Sequence, residues 1–219
     1  MPLHHVHTLD ENTVLGIWQI QEDVEELTFQ LLSLRPAKEL PFFKAEARRR
    51  EWLASRLLVY LLLEKLNYPE AVLQKQESGK PYIEGAEVHV SITHSGRWAA
   101  ALVSASHQVG IDIELKAEKV QRAIQRFLNE QELADVQDDE DKMHLYWSAK
   151  ETLYKVYARR ELDFRKQLLI EDFVKEVSGQ FTGRVVAPEK THTHIIQYQV
   201  EREYVLTYIL APVTNTKEY

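Results

Sequence analysis

The chain of 219 residues contains no cysteine. This absence excludes disulfide bonds, cysteine nucleophiles, zinc–thiolate sites and iron–sulfur clusters. It fits a reducing compartment, where disulfides are rare. The first residues, from Met1 to His7, lack the basic and apolar regions of a secretory signal. We therefore expect a cytoplasmic protein.

Long apolar runs and an excess of basic residues are also absent, and glycine and proline are few. The longest apolar run covers only residues 57–63, whereas a membrane-spanning helix needs about 20 apolar residues. Glycine and proline number 7 each, so no long flexible linker is expected. With 27 Lys and Arg against 34 Asp and Glu, the formal net charge is −7. Neither a membrane nor a nucleic acid is therefore an expected partner.

What the chain does contain is the composition of a folded protein, with 44% hydrophobic and 28% charged residues. In each half, a helical region is followed by three strands, an order typical of an antiparallel meander. The sequence thus predicts the α+β class, with two pseudo-symmetric subdomains over 1–106 and 107–219. Each would be a helix packed on a small antiparallel three-stranded sheet. The predicted helices cover 24–34, 44–66, 120–136 and 143–157, and the predicted strands cover 14–20, 87–93, 98–104, 109–115, 180–186, 193–201 and 204–210.

Two acids lie in the predicted strand 109–115. Because side chains alternate faces along a strand, Ile111 and Ile113 would point to the core, and Asp112 and Glu114 to the other face. The two carboxylates would lie roughly 7 Å apart and could share a hard cation such as Mg²⁺. The pair also fits a half-exposed strand with two solvated acids, and taken alone that is the simpler interpretation.

A second candidate segment covers residues 147–155, with the sequence WSAKETLYK, in the predicted helix 143–157. Glu151 and Lys155 are one helical turn apart and share a face. Such a pair is usually an ordinary surface ion pair, and taken alone this one has that interpretation. Trp147 lies one turn earlier on the same side and is expected to pack rather than to take part in chemistry.

Two further segments could bind phosphate. The hydroxyl and imidazole groups of residues 91–97 could hold an anion or form a hydrogen-bonded turn, and no Gly-x-Ser-x-Gly elbow supports a serine nucleophile. In the predicted helix 44–66, Arg49 and Arg56 share a face, where they could bind phosphate or simply be solvated. Lys80 adds a cation in a tight turn. The chain has neither a Walker A nor a Gly-x-Gly-x-x-Gly motif, so the common nucleotide-binding folds are not indicated.

The order of these segments is more specific than any one of them. The chain presents in turn Arg-x-Glu-Trp-Leu-Ala-x-Arg (49–56), Gly-Lys-Pro-Tyr (79–82), Ser-Ile-Thr-His-Ser (91–95), Gly-Ile-Asp-Ile-Glu (110–114) and Trp-Ser-x-Lys-Glu-x-x-x-Lys (147–155). In this combination it resembles the 4′-phosphopantetheinyl transferase superfamily, in particular its larger, surfactin-synthetase-activating type. The resemblance covers about residues 48–155 and is strongest in the last two motifs. It implies the fold of that superfamily, as a pseudo-dimer within one monomeric chain.

The resemblance also implies an activity and a set of site residues. The family transfers the 4′-phosphopantetheine arm of coenzyme A to a serine of an apo acyl or peptidyl carrier protein and releases adenosine 3′,5′-bisphosphate. Glu151 and Lys155 would be catalytic: Glu151 would accept the serine proton, directly or through water, and Lys155 would contact the pyrophosphate. The implied ligands of Mg²⁺, or of Mn²⁺, are Asp112, Glu114 and Glu151. The implied contacts of coenzyme A are Arg49, Arg56, Lys80, Ser91, His94 and Lys155, with the choice among Arg48, Arg49 and Arg50 left open.

The nucleophile would belong to the carrier protein, which agrees with the lack of a suitable Ser/His or Cys/His pair in this chain. Carrier proteins are typically acidic around the modified serine. The candidate contacts for that acidic surface are Arg159, Arg160, Arg165 and Lys166. Two other functions stay open: a Mg²⁺-dependent phosphohydrolase with water as the nucleophile, and a binding module for coenzyme A or an acidic protein without turnover.

Overall fold

The computed structural model describes residues 3–35, 40–117, 120, 124–157 and 162–213. The chain divides into two compact units, Met1–His107 and Gln108–Tyr219. The described residues form strands and helices in an α+β arrangement with antiparallel sheets, as predicted. The strands are β1 (Leu3–Asp10), β2 (Thr13–Gln19), β3 (Val72–Lys75), β4 (Pro81–Glu84), β5 (His89–Ser95), β6 (Trp98–Ser104), β7 (His107–Leu115), β8 (Leu168–Ile170), β9 (Ser178–Val186), β10 (Thr191–Val200) and β11 (Tyr204–Pro212). The helices are α1 (Val24–Leu34), α2 (Glu46–Lys65), α3 (Glu130–Val136) and α4 (Glu140–Tyr157).

The first unit contains a four-stranded antiparallel sheet, the hairpin β3–β4 and the helices α1 and α2. The strand order of the sheet is β1-β2-β6-β5. Helix α2 packs closely on this sheet, because a Cβ at Gly16 of β2 would lie 2.7 Å from Leu58 Cδ1. Val14, Trp18 and the buried leucines of α2 belong to one apolar cluster, which forms the core of the unit.

Local sequence signals set the ends of the helices in this unit. Asp23 caps α1, since its Oδ1 accepts a hydrogen bond from the backbone N–H of Glu26 at 2.8 Å. Helix α2 ends just before Asn67, which has a φ of 63° and so adopts the left-handed conformation that commonly ends helices. The predicted helices 24–34 and 44–66 are therefore confirmed, with ends that differ by at most two residues.

The second unit contains a five-stranded sheet of order β7-β11-β10-β9-β8, against which α4 packs. Leu153 and Val156 of α4 lie in the same buried cluster as Val185 and Ile196 of the sheet. The predicted helix 120–136 is wrong in part, because residues 125–127 form a turn and α3 begins only at residue 130. Asn129 fixes that start through a capping box with the third residue of the helix.

Of the two predicted three-stranded meanders, the first is wrong, whereas the second is confirmed, because β9, β10 and β11 pair antiparallel in that order within a five-stranded sheet. Strand β7 does not join β5 and β6 but pairs with β11 in the sheet of the second unit. A short connection keeps two strands adjacent in sequence, yet it does not decide in which sheet each finds its partner. The first sheet is completed instead by β1 and β2, and β7 and β8 flank the three predicted strands of the second. The pseudo-symmetry of the two units stays a prediction.

None of the helices in the described part of the chain has the length and apolar character that crossing a membrane requires.

Candidate active site

Strand β7 carries the two acids that the sequence singles out. Ile111 and Ile113 are fully buried, as the alternation predicts. Asp112 lies on the opposite face of the strand but is only 3% exposed, and Glu114 is half-buried. The simpler interpretation, two solvated acids on an exposed strand face, is therefore wrong for Asp112.

Strand β7 and helix α4 approach each other closely at Gly110. A Cβ at this position would lie 2.7 Å from the backbone oxygen of Thr152 and 2.5 Å from Val156 Cγ2, so only glycine fits. The Ser148 hydroxyl of α4 donates a hydrogen bond to the backbone oxygen of Asp112 at 3.3 Å. The glycine of the Gly-x-Asp-x-Glu motif and the serine of the Trp-Ser-x-Lys-Glu motif thus hold β7 against α4, a role that the sequence did not reveal.

Asp112, Glu151 and Lys155 form one charged cluster across these two elements. Lys155 Nζ donates to Asp112 Oδ1 at 2.7 Å and to the backbone oxygen of Ile111 at 3.0 Å. Lys155 therefore contacts an acid of another element, so it is not limited to a surface ion pair within α4. Burial raises the pKa of Glu151, the charge of Asp112 raises it further, and the charge of Lys155 lowers it. The two carboxylates are thus close enough to repel each other, and a bound cation would relieve that repulsion.

Glu114 is held by Trp147. The indole Nε1 donates a hydrogen bond to Glu114 Oε1 at 2.8 Å. The Trp147 ring also packs on two phenylalanines, with ring centroids 4.0 Å from that of Phe127 and 6.0 Å from that of Phe164. Trp147 therefore packs, as predicted, but it also orients one of the predicted metal ligands.

The predicted metal ligands do not form a complete site by themselves. Among the described residues, no group of three or more His, Asp or Glu side chains is close enough together to hold a metal ion. Two of these acids, Asp112 and Glu151, still interact through their charges. One or two carboxylates completed by substrate phosphates and water are a common way for proteins to bind Mg²⁺. Oxygen donors without sulfur or imidazole also favour Mg²⁺ or Mn²⁺ over softer metals. The residues present thus fit a cation that a phosphate-bearing substrate helps to hold.

Lys150 belongs to the same motif but is completely buried and has a structural role. Its Nζ donates to Glu132 Oε2 at 2.7 Å and to the backbone oxygens of Phe127 at 3.0 Å and Phe164 at 2.7 Å. Glu132 is 1% exposed and also accepts hydrogen bonds from two backbone N–H groups. Burial lowers the pKa of Lys150, and the charge of Glu132 partly offsets this. Lys150 thus connects α4 to the backbone that carries both phenylalanines.

The first unit contains a basic pocket of about 300 Å³, which we call the α2–β5 pocket. Its lining includes Arg48, Arg56, Lys75 and His94, together with the ring of Trp52. The guanidinium carbon of Arg56 lies 3.8 Å from the centroid of the Trp52 ring. Burial lowers the pKa of Arg56 to about 10, so its side chain stays charged at neutral pH.

The structure separates the arginines that the sequence grouped together. Arg48 and Arg56 line the α2–β5 pocket, whereas Arg49 lines a second pocket of about 790 Å³ beside α1. Arg48, Trp52 and Arg56 follow one another at four-residue spacing and so form one stripe of the helix. The seven-residue spacing of Arg49 and Arg56 shows that both lie on a similar side of α2, but it does not show which stripe faces the pocket.

Two other predicted coenzyme A contacts do not line the α2–β5 pocket. Gly79 and Pro81 line it, but Lys80 between them does not, and burial lowers the pKa of Lys80. Ser91 is buried three residues before His94 in β5, and so lies on the opposite face of that strand. The structure therefore brings His94 together with Arg48 and Arg56 but not with Ser91.

Of the four residues predicted to contact a carrier protein, the structure describes Arg165 and Lys166. Arg159 and Arg160 lie outside the described residues. Arg165 and Lys166 line a surface pocket of about 720 Å³ that also contains the acids Glu130 and Asp163. Lys166 Nζ lies 3.8 Å from Asp163 Oδ2. This surface thus carries charges of both signs.

Two family models match the chain, one in each unit. Residues 108–209 match the 4′-phosphopantetheinyl transferase superfamily, and residues 44–104 match the 4′-phosphopantetheinyl transferase N-terminal domain. The first match contains the charged cluster of β7 and α4. The second contains Arg48, Arg56 and His94 of the α2–β5 pocket.

Two characterised proteins are similar to parts of the chain. A Bacillus subtilis protein named 4′-phosphopantetheinyl transferase is 38% identical over 86 residues, which cover 36% of this chain and 38% of that protein. A Staphylococcus carnosus (strain TM300) protein named holo-[acyl-carrier-protein] synthase is 33% identical over 95 residues, which cover 38% of this chain and 81% of that protein. The match thus spans well under half of the Bacillus protein but most of the Staphylococcus protein. By this similarity and the two family matches, the chain belongs to the 4′-phosphopantetheinyl transferase superfamily.

Proposed function

We propose that this chain transfers the 4′-phosphopantetheine group of coenzyme A to a serine of an apo acyl or peptidyl carrier protein. The observation that carries the proposal is the cluster of Asp112, Glu151 and Lys155, in which two neighbouring carboxylates and one cation come from a strand and a helix. The names of the two relatives, a 4′-phosphopantetheinyl transferase and a holo-[acyl-carrier-protein] synthase, support it.

In the proposed reaction, the serine oxygen of the carrier attacks the phosphorus that bears the pantetheine arm. The bond from serine oxygen to phosphorus forms, the bond from that phosphorus to the bridging oxygen of the pyrophosphate breaks, and adenosine 3′,5′-bisphosphate leaves. Glu151 takes the serine proton, directly or through water. Burial and the charge of Asp112 raise the pKa of Glu151, which brings it closer to the value that suits a general base near neutral pH.

Lys155 supplies positive charge where negative charge develops on the leaving bisphosphate. Its Nζ is held in place by Asp112 Oδ1 and by the backbone oxygen of Ile111. A cation that is already positioned in a partly buried site stabilises a charged transition state without further reorganisation. Phosphoryl transfer needs this kind of positioning and charge compensation more than covalent help from the enzyme.

A divalent cation, Mg²⁺ or Mn²⁺, is the proposed cofactor. Asp112 and Glu151 would hold it together with oxygens of the substrate, and Glu114 is the third candidate ligand, oriented by Trp147. When bound, such a cation neutralises charge on the pyrophosphate. The repulsion between the two carboxylates is the structural reason to expect it.

The α2–β5 pocket is the proposed site for the nucleotide end of coenzyme A. Arg48, Arg56 and Lys75 provide positive charge for the 3′-phosphate, His94 adds an imidazole beside them, and Trp52 provides an aromatic surface. Arg48 is thus the proposed coenzyme A contact among the three arginines of the segment 48–50. Arg49, Lys80 and Ser91 are not part of this pocket.

The proposed type is the larger, surfactin-synthetase-activating one, acting as a cytoplasmic monomer. Matches to an N-terminal domain model and a superfamily model in one chain support this type. The 95 matched residues make up 81% of the Staphylococcus relative, so that protein is only about half as long as this chain.

The test is to incubate the protein with coenzyme A, Mg²⁺ and an apo carrier protein and to measure the mass of the carrier. We expect a mass increase of one phosphopantetheine group, and a rate at least about 100-fold lower for Glu151→Gln. Glu176→Gln, an exposed acid in the same unit, is the matched control and should keep the wild-type rate. No mass gain with any of several acyl and peptidyl carriers would refute the proposal. Release of phosphopantetheine without a carrier would indicate the phosphohydrolase instead.

The carrier is proposed to contact the basic residues that follow α4. Charge reversal at Arg159 and Arg160, or at Arg165 and Lys166, should raise the KM for the carrier and leave the KM for coenzyme A unchanged. Because acids accompany Arg165 and Lys166, we expect the smaller effect there. An unchanged carrier KM in both variants would remove this assignment.

A further inference from the structure

Glu51 is an acid placed among the bases of the α2–β5 pocket. Its Oε2 lies 3.3 Å from His94 Nδ1 and 3.5 Å from Arg48 Nη1. The Glu51 side chain is 15% exposed, and its buried Oε2 forms no hydrogen bond with any described residue, so its contacts with both bases are electrostatic. Glu51 does not line the pocket, but it contacts two residues that do. Glu51 therefore lies behind the basic residues that line the pocket, outside the space that a ligand would fill.

The contact with His94 is not a local helix pair. Glu51 and Arg48 are three residues apart on α2, a spacing at which ion pairs contribute little. His94, however, comes from β5, so the carboxylate joins two elements of the pocket wall. A carboxylate beside one ring nitrogen fixes the orientation of an imidazole and favours a proton on that nitrogen.

We propose that Glu51 is a positioning residue that holds His94 in the orientation in which it binds the 3′-phosphate monoester of coenzyme A. This inference rests on the proposed function, because it takes the α2–β5 pocket as the site of that phosphate. Glu51 does not touch the phosphate. It acts through the His94 side chain that it orients.

The direction in which neutralising Glu51 changes the affinity for coenzyme A distinguishes this positioning role from simple electrostatic repulsion. Through space, the negative charge of Glu51 repels a phosphate, so neutralising it would tighten coenzyme A binding or leave it unchanged. If Glu51 positions His94, neutralising it weakens binding instead. Loss of this partly buried electrostatic contact should weaken the affinity for coenzyme A roughly tenfold.

The experiment compares coenzyme A with 3′-dephospho-coenzyme A, by calorimetric binding and by carrier modification. For Glu51→Gln we expect the Kd and KM of coenzyme A to rise roughly tenfold, with kcat changed less than about threefold. The values for 3′-dephospho-coenzyme A should stay unchanged. Glu51→Asp keeps the charge and should restore part of the affinity for coenzyme A. When Glu51→Gln is added to His94→Ala, it should lower this affinity less than it does in the wild type.

The control is Glu46→Gln, which removes an exposed acid from the first turn of the same helix, where it pairs with Arg50 at 3.9 Å. It should leave both ligands unaffected. An unchanged or lower Kd of Glu51→Gln for coenzyme A would overturn the inference, and so would an equal loss for both ligands. Calorimetry needs no turnover, so a wild-type protein that binds coenzyme A but modifies no carrier would refute the proposed transfer and leave the role of Glu51 measurable. A wild-type protein that binds coenzyme A and 3′-dephospho-coenzyme A equally well would refute the role of Glu51.

Discussion

Replacement of Lys150 by methionine should destabilise the second unit more than any exposed substitution. Lys150 and Glu132 have side chains that are 0% and 1% exposed, and their charged groups lie 2.7 Å apart. Methionine has a similar length but removes the cation, so Glu132 would keep a buried negative charge with no opposite charge beside it. Breaking a buried pair in this way costs about 3–5 kcal/mol. That is a large part of the roughly 5–15 kcal/mol by which domains are stable.

Neutralising the other partner of the pair, by Glu132→Gln, should lower the free energy of unfolding less than Lys150→Met does. Lys150 would still donate to the backbone oxygens of Phe127 and Phe164. The glutamine would leave one of two backbone donors poorly paired, a loss of about 1–3 kcal/mol. The double variant should be more stable than Lys150→Met alone, because it contains no uncompensated charge.

Urea unfolding, followed by circular dichroism, measures these differences. Lys166→Met is the matched control, since its side chain is 83% exposed and should change the free energy of unfolding by no more than about 0.5 kcal/mol. The reasoning would be refuted if Lys150→Met lay within about 1 kcal/mol of the wild type, or if the double variant were less stable than Lys150→Met.

Three further substitutions test the site. Burial and the neighbouring acid raise the pKa of Glu151, so its ionised form destabilises the fold above that pKa. Glu151→Gln should therefore raise the Tm at neutral pH, and this gain should vanish in acid, below the ordinary glutamate pKa. A lower Tm at neutral pH would contradict this prediction. Gly110→Ala should lower the free energy of unfolding in urea by about 1–3 kcal/mol. Adding Val156→Ala should restore only part of this loss, because the clash with the backbone oxygen of Thr152 stays. An unchanged stability of Gly110→Ala would argue against the close approach. Trp147→Phe keeps an aromatic ring but removes the hydrogen bond to Glu114, so the Mg²⁺ concentration for half-maximal activity should rise; an unchanged value would remove the orienting role.

Helices with clear signals at both ends could be predicted from the sequence. The expected range of α1, 24–34, agrees with the structure because Asp23 caps its start and an apolar stripe continues to its end. Strand β6 at 98–104 is likewise confirmed, since it is apolar up to its last residue, Ser104, and buried along its whole length. Strand β1 was missed because its histidines obscure the apolar alternation, and β8 because three residues give no periodicity.

The site was predictable where its geometry is local. Alternation along β7 placed Asp112, and helical spacing placed Glu151 and Lys155 on one face of α4. The contacts that connect these elements were not predictable, because they join residues far apart in sequence. Glu132 is 18 residues from Lys150, and nothing in either segment indicates the other. A buried polar pair of this kind becomes visible only when the packing of both elements is known.

The motif of α4 shows how structural and chemical residues share one helix. Ser148 and Thr152 form a stripe of buried hydroxyls, and Lys150 points into a buried ion pair. These residues would be needed equally by a binding module without turnover. Glu151 differs, because burial and a neighbouring acid make its charge unfavourable. A group kept in a destabilising electrostatic setting is more simply explained by chemistry than by packing, which favours the transferase over the binding module.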